Sequence, residues 1–271
     1  MTMDTTDSIR RQFGDNAEKY ATSKVHAQGK SLSRLVEMVG PQPHWRALDV
    51  ATGAGHTALA FAPLVDHVCA ADLTPQMLAV TAKLARERGA ANVTTAQLEA
   101  AHLPFPDASF DLVTCRIAPH HFADVAGFVR ESARVLRPGG RLAVVDNIVP
   151  GSRLRGKKGE RERDAGIYVN AIEKFRDPSH NRCLSLDEWL DLFYDAGLSP
   201  IQHETLSKRI VFDDWAARMN VRGDDLTRLR VLFTQAPAAA AAFLQPQFTG
   251  EQLDFLLWEV VIAGTKSRQS P

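Results

Sequence analysis

The chain of 271 residues has only three cysteines, Cys69, Cys115 and Cys183. They are too few and too scattered for a disulfide framework, and none has the CxxC spacing of a zinc site. A reducing compartment is therefore expected. An excess of charge is also missing, because 32 Lys and Arg balance 32 Asp and Glu. A general nucleic-acid binder carries a basic excess, so no nucleic-acid partner is expected. No apolar run approaches the roughly 18 residues that span a bilayer. The alanine run Ala238–Ala242 is short and follows Pro237. The opening residues, Met1–Asp7, are acidic and polar rather than signal-like. Internal repeats and long low-complexity segments are absent as well. These absences leave a cytoplasmic protein without membrane insertion, working as a monomer or homodimer. What is present is an ordinary globular composition, 45% apolar and 24% charged. The length allows one large domain or two small ones and a substantial core.

Hydrophobic periodicity divides the chain near residue 150. Residues 5–20 and 28–39 read as helices, the second with Leu32, Leu35, Val36 and Val39 at helical spacing. Strands and helices then alternate. Strands are expected at Arg46–Ala51, His67–Asp72, Val93–Gln97, Phe110–Arg116 and Arg141–Ile148. Helices are expected at 56–63, Pro75–Arg88 and Asp124–Leu136, the last stopped by Pro138-Gly139-Gly140. Continuous apolar strands alternating with helices imply a parallel sheet covered on both faces. Beyond 150 the basic segment Gly151–Gly159 reads as a mobile connector. Helices at 160–175 and 186–196, a strand at Ser199–Ser207, irregular helix over 213–245 and a final strand at Leu256–Gly264 complete the pattern. Residues 1–150 thus form the N-terminal helices and a ligand-binding core. Residues 151–271 complete the sheet and supply a helical cap, in one integrated unit.

The most informative stretch joins the first strand to the first sheet helix: Asp49-Val50-Ala51-Thr52-Gly53-Ala54-Gly55. Glycines here let the backbone turn tightly and approach a ligand. Asp72 ends the second strand about 20 residues on, a position suited to a ribose. The spacing Gly53-x-Gly55-x-x-Ala58 also fits a nicotinamide or flavin fingerprint, which leaves an NAD(P)-dependent oxidoreductase open. Asp49 argues against it, because an acid there suits a cationic cofactor and opposes a pyrophosphate. A non-catalytic binding module is the third reading.

The same stretch resembles the first motif of the class I S-adenosylmethionine-dependent methyltransferases. Ala70-Ala71-Asp72-Leu73 resembles their ribose-binding strand end, and Met77 stands where a hydrophobic residue packs on adenine. Glu99-Ala100-Ala101-His102-Leu103-Pro104-Phe105 resembles the segment whose acid accepts the adenine amino group, with Glu where Asp is usual. Phe110-Asp111-Leu112-Val113 and Arg137-Pro138-Gly139-Gly140 continue the series in order. Phe13-x-x-x-Ala17-x-x-Tyr20 is similar to the branch of ubiquinone and menaquinone C-methyltransferases, where the tyrosine closes over the cofactor. The resemblance implies a Rossmann-like, seven-stranded, mostly parallel sheet with helices on both faces and a helical cap insertion. It implies S-adenosyl-L-methionine as cofactor, held by Tyr20, Asp49, Ala51, Gly53, Gly55, Asp72, Leu73, Met77, Glu99, Ala100 and Arg116. It does not name the acceptor.

Methyl transfer needs mainly positioning, and a base only where the acceptor loses a proton. His120 and His121 follow the fourth strand, where loops line the ligand crevice, and are candidates for proton transfer or acceptor binding. Arg176 and His180, with Asp177, form a second polar cluster near the start of the cap and are the other catalytic candidates. The alternative for that cluster is an Asp-Pro turn with Arg176 holding a carboxylate elsewhere. No helix carries two ligands at metal spacing, so no metal is expected. A small-molecule acceptor, partly apolar, is expected beneath the cap.

Overall fold

The computed structural model describes residues 29–268. The first expected helix, and with it Tyr20, lies outside the described residues. The second is α1 (Lys30–Val39), which buries Leu32, Leu35 and Val39 and ends at Gly40 in the left-handed region.

Alternation follows as the apolar pattern requires. The order is β1 (Arg46–Val50), α2 (His56–Phe61), β2 (His67–Asp72), α3 (Pro75–Glu87), β3 (Val93–Gln97), β4 (Phe110–Arg116), α4 (Val125–Val135) and β5 (Leu136–Asn147). Pro75 opens α3, where a missing N–H costs nothing. Then come α5 (Lys157–Arg176), α6 (Leu186–Asp195), β6 (Leu198–Val211), α7 (Phe212–Ala217), α8 (Gly223–Thr234), α9 (Ala238–Leu244), β7 (Gln247–Thr249) and β8 (Gln252–Lys266).

The sheet runs β3-β2-β1-β4-β5-β8-β6, with β7 paired to β8. The strands from β3 to β5 are parallel, and β8 is antiparallel to β5, β6 and β7. Chain order reverses between β1 and β4, which makes their carboxyl ends the crevice of a doubly wound sheet. Both faces are covered. Leu48, Val113, Phe128, Trp189 and Phe193 pack on one, and Leu35, Ala47, Phe61, Val68 and Leu112 on the other.

Several expectations change. The sheet has eight strands rather than seven; the extra one, β7, has three exposed residues, too few to carry a period. Strand β5 begins at Leu136 and takes in the Pro138-Gly139-Gly140 turn, with the register shift opposite Phe110 and Leu112 absorbing it. Strands β6 and β8 outrun their expected ends and form a long antiparallel ribbon. The half-buried positions of β6 include Glu204 and Lys208 beside Leu206 and Ile210, so its buried face is not apolar enough to be read. The basic connector is tethered rather than mobile. The Arg163 guanidinium donates to Ser152 O and Leu154 O, and Arg153 pairs with Asp187 and Asp191.

Helices α7 to α9 lie between β6 and β8 in sequence and join α5 around a separate core of Phe212, Trp215, Phe233 and Phe255. Their rings meet mostly edge to face, with centroids 4.7–6.0 Å apart, a favoured aromatic geometry. Helix α6, expected with the cap, instead packs Trp189 and Phe193 onto the main sheet. Its start is fixed by a capping box in which Ser185 and Glu188 satisfy each other's backbone N–H.

Candidate active site

A cleft opens at the switch point and encloses about 1220 Å³ of atom-free space, part of it open to solvent. Ala51, Gly53, Asp72, Leu73, Met77, Glu99, Ala100, Arg116 and His121 line it, nine of the residues singled out in the sequence.

Its floor is the turn after β1. Ala51, Gly53 and Gly55 all have positive φ, at 52°, 55° and 82°. That conformation suits glycine, which has no Cβ to clash with its own backbone. Gly55 has a second constraint, because a Cβ would lie 2.7 Å from Thr81 Cγ2. The Thr81 hydroxyl donates to Gly53 O at 2.8 Å, and Thr52 N–H donates to Ala71 O at 2.9 Å. Helix α3 and strand β2 thereby clamp the turn.

Asp49 does not line the cleft. It lies beneath the turn, 1% exposed, and its carboxylate is taken up by the chain itself. It accepts the Thr52 hydroxyl at 2.6 Å, the Thr114 hydroxyl at 2.7 Å and the Ala58 N–H at 3.1 Å. Burial pushes its pKa up to about 6 against those hydrogen bonds. The expected direct contact between Asp49 and a cofactor is therefore replaced by a supporting role. Its carboxylate already satisfies an N–H in the first turn of α2, the place a pyrophosphate takes in dinucleotide sites.

Asp72 borders the cleft and bridges it to the turn. One carboxylate oxygen accepts Gly53 N–H and the other Thr74 N–H, each at 2.9 Å. An ionised carboxylate has about four lone-pair sites, so each oxygen retains capacity toward the cleft. Burial raises its pKa against the two N–H bonds. Met77 is 2% exposed and Leu73, Leu98 and Ala100 continue an apolar wall. Glu99 sits at the open rim, its side chain 63% exposed and 3.7 Å from His102. Arg116 Nε donates to Thr57 Oγ1 at 3.1 Å; burial lowers its pKa against the pull of Glu259 and Asp49.

The two adjacent histidines separate. His121 lines the cleft, while His120 turns behind it and donates to Asp146 Oδ1 at 2.6 Å. Burial opposes a charge on His120, but Asp146, Glu173 and Asp177 outweigh it and raise its pKa. Burial and the neighbouring His120 lower that of His121 to about 3. Ile117, just ahead of them, has a φ of 53°, a rare conformation for a β-branched residue, held by its N–H bond to Val145 O at 2.7 Å. Strain of this kind concentrates at functional sites.

Arg176 and His180 are not in the cleft wall. The Arg176 guanidinium stacks over Trp215 at 4.4 Å and pairs with Glu173 at 3.3 Å. That is the alternative weighed for it, an arginine holding a carboxylate within the cap. His180 is 2% exposed, donates to Asn170 Oδ1 at 3.0 Å, and has a pKa lowered to about 3, first by burial. Sequence reasoning missed Thr57, Thr81, Thr114 and Ser179. Thr114 was within reach, since neighbouring strands place it opposite Asp49. Among the described residues no group of three His, Cys, Asp or Glu side chains is arranged to hold a metal. None of the described helices is long and apolar enough to cross a membrane.

Comparison with known proteins agrees with this geometry. Residues 48–144 match the family model described as a methyltransferase domain. The chain is 36% identical over 258 residues to YcgJ of Bacillus subtilis, an uncharacterised methyltransferase, covering 94% of this chain and 97% of the relative. It is 43% identical over 164 residues to a demethylmenaquinone methyltransferase of Deinococcus radiodurans, covering 56% and 66%. The crystal structure of the Bacillus YcgJ protein superposes with a TM-score of 0.80 at 34% identity, over 88% of this chain and 98% of that one. The chain belongs to the class I S-adenosylmethionine-dependent methyltransferases.

Proposed function

We propose that this methyltransferase acts on a small-molecule acceptor that enters the cleft from the His121 side, beneath the cap. The observation that carries the reading is the bridge from Asp72 to Gly53, which puts a carboxylate with spare lone pairs beside a turn that no side chain obstructs. A Cβ at Gly53 would meet nothing within 4 Å, so the space above the turn is free for a ligand.

The lining fits S-adenosylmethionine, and each group has a role its chemistry supports. Asp72 receives the ribose hydroxyls, since its unused lone pairs accept two donors. Met77, Leu73 and Ala100 form the apolar slot for adenine, and Glu99 at the rim accepts the adenine amino group. Ala51, Gly53 and Gly55 shape the backbone around the amino-acid end, where Arg116 offers a cation to a carboxylate. Asp49 holds that turn in place from below. Tyr20 is proposed to close over the cofactor. When bound, S-adenosylmethionine supplies a methyl group on a sulfonium leaving centre, so the chain's own work is orientation and exclusion of water. His121 contributes a neutral ring, which adds no positive charge beside a cationic cofactor.

Residues 1–150 act as the N-terminal helices and cofactor core, and 151–271 as sheet completion and cap, in one catalytic unit. The balanced charge supports a metabolite rather than a nucleic acid. The unpaired, buried thiols of Cys69, Cys115 and Cys183 support a cytoplasmic location, as a monomer or homodimer.

Calorimetric titration with S-adenosylhomocysteine tests the cofactor site. One site per chain at micromolar affinity is expected. Binding of NADH without binding of S-adenosylhomocysteine would overturn the assignment. Turnover of labelled S-adenosylmethionine across a small-molecule library then identifies the acceptor.

A further inference from the structure

His121 is braced from behind by two residues that the cofactor reading does not use. Its Nδ1 lies 3.0 Å from Ser179 O and 3.2 Å from Ser179 Oγ. The Ser179 hydroxyl donates to Asp177 Oδ1 at 2.6 Å, and Ser179 N–H donates to the same oxygen at 2.9 Å. A carbonyl oxygen only accepts, and the serine proton is already committed to Asp177. Ser179 therefore presents His121 with acceptors alone, and Nδ1 must carry the ring's hydrogen. In the neutral ring Nε2 is then a lone pair. His121 forms part of the cleft wall whereas Ser179 does not, so the side of the ring away from Ser179, which carries Nε2, is the side presented.

We propose that Asp177 and Ser179 are positioning residues that lock His121 as its Nδ1–H tautomer, so that the cleft offers a hydrogen-bond acceptor to a methyl acceptor bearing O–H or N–H at or beside the reacting atom. This rests on the reading of the cleft as the methyltransferase site and narrows its substrate class. An acceptor atom that brings only lone pairs, such as a thioether or a tertiary amine, would face a second lone pair in a desolvated wall.

Three further features agree. Ser179 is 1% and Asp177 2% exposed, so neither serves solvent. The loop that carries them is pinned to the segment after β4. Asn181 and Arg182 N–H both donate to His120 O, at 2.8 and 2.9 Å, and the Asn181 side chain donates to Phe122 O at 2.6 Å. The charged and titratable groups that act on His121 are His120, Asp177 and Arg176. Burial and the two cations disfavour a second proton on the ring and outweigh Asp177.

The test is a long-range proton–nitrogen correlation spectrum of the full-length protein with 15N-labelled histidine, recorded from pH 5.5 to 8.5 with S-adenosylhomocysteine. The His121 ring is assigned by its loss in His121→Gln. Where that variant does not fold, it is assigned by proximity to His120, whose ring centroid is 4.2 Å away. The expected result is a neutral, non-titrating ring protonated at Nδ1. Asp177→Ala should convert it to mixed tautomers, and Asp177→Asn, whose amide oxygen still accepts both Ser179 bonds, should restore it. An Nε2–H ring, a ring that titrates near 6.5 in the unaltered protein, or an Asp177→Ala spectrum identical to the unaltered one would overturn the proposal. Failure of S-adenosylhomocysteine to bind by calorimetry would instead sink the cofactor reading, and the two failures are read separately.

Discussion

Asp49 and Thr114 face each other across β1 and β4, and the Thr114 hydroxyl donates to the Asp49 carboxylate at 2.7 Å. The bond ties together the two strands between which the cleft opens. With Thr52 and Ala58 as further donors, one buried carboxylate holds β1, β4, the glycine turn and α2 in register. The cost is desolvation. The folded pKa of about 6 lies above the unfolded value of 3.8, so this group favours folding most below pH 3.8 and loses that contribution as pH rises through about 6. Urea unfolding of the protein and of Asp49→Asn should give a stability difference that falls between pH 4 and 6.5, by at most about 3 kcal/mol. A difference independent of pH would show that Asp49 is not the buried, proton-binding group described.

Asp72→Ala removes both the acceptor of Gly53 N–H and the carboxylate assigned to the ribose. Hydrogen bonds to charged groups contribute about 1.5–3 kcal/mol. Affinity for S-adenosylhomocysteine should therefore fall between about 10- and 150-fold, measured by calorimetry. An unchanged affinity would remove Asp72 from the binding site.

The contrast between Asp72 and His180 shows what was legible in the sequence. The elements bearing Asp72, Gly53, Met77 and Glu99 follow one another within residues 46–100, and strand neighbours fold them onto one edge. Local pattern therefore carried most of the cleft. Asp49 was legible as important but not in its role, because only the fold shows a side chain turned down into the protein rather than up into the crevice. The acceptor side depends on contacts such as His121 to Ser179, 58 residues apart, which leave no periodicity to read. Arg176 and His180 have the residue types of a catalytic pair, yet the cap core around Trp215 and the Asn170 amide claim them. β7 was invisible for a simpler reason, being a three-residue hairpin arm.

Gly55→Ala should destabilise the turn by about 1–3 kcal/mol, the usual cost of a residue held in an unfavourable backbone region. Two effects add here, the φ of 82° and the 2.7 Å approach to Thr81 Cγ2. Combining it with Thr81→Ala relieves only the steric part and also removes the hydroxyl bond to Gly53 O. The double variant should therefore remain below the unaltered protein in its urea midpoint. Full recovery would mean that the backbone conformation of Gly55 carries no strain.

Trp215→Ala tests whether the cap has a core of its own. The ring is 2% exposed, lies edge to face with Phe233 and Phe255, and supports the Arg176 guanidinium. Truncating a buried tryptophan costs about 3–5 kcal/mol. Because Trp215 is absent from the cleft lining, the loss should appear as faster amide exchange in α5, α7 and α8, with α2 and α3 little changed. Equal acceleration across the whole chain would show that cap and sheet unfold together.

The three stacked histidines set the acid limit of the protein. His121 and His180 have folded pKa values near 3 against about 6.5 in the unfolded chain. A base with a depressed pKa stabilises the fold fully above 6.5 and loses that contribution as pH falls toward 3. His120 runs the other way: its raised pKa adds stability below 6.5 and loses it as pH rises through the folded value. Two depressed rings oppose one raised ring, so the cluster as a whole weakens the fold on acidification. His180→Gln isolates one of the two, since its amide N–H still reaches the Asn170 oxygen that His180 uses. The variant should lose less stability than the unaltered protein between pH 6.5 and 4, by up to about 1.4 kcal/mol for each pH unit. Parallel profiles would mean that His180 takes up its proton in the folded protein as readily as in the unfolded chain, and the buried, neutral stack would have to be abandoned.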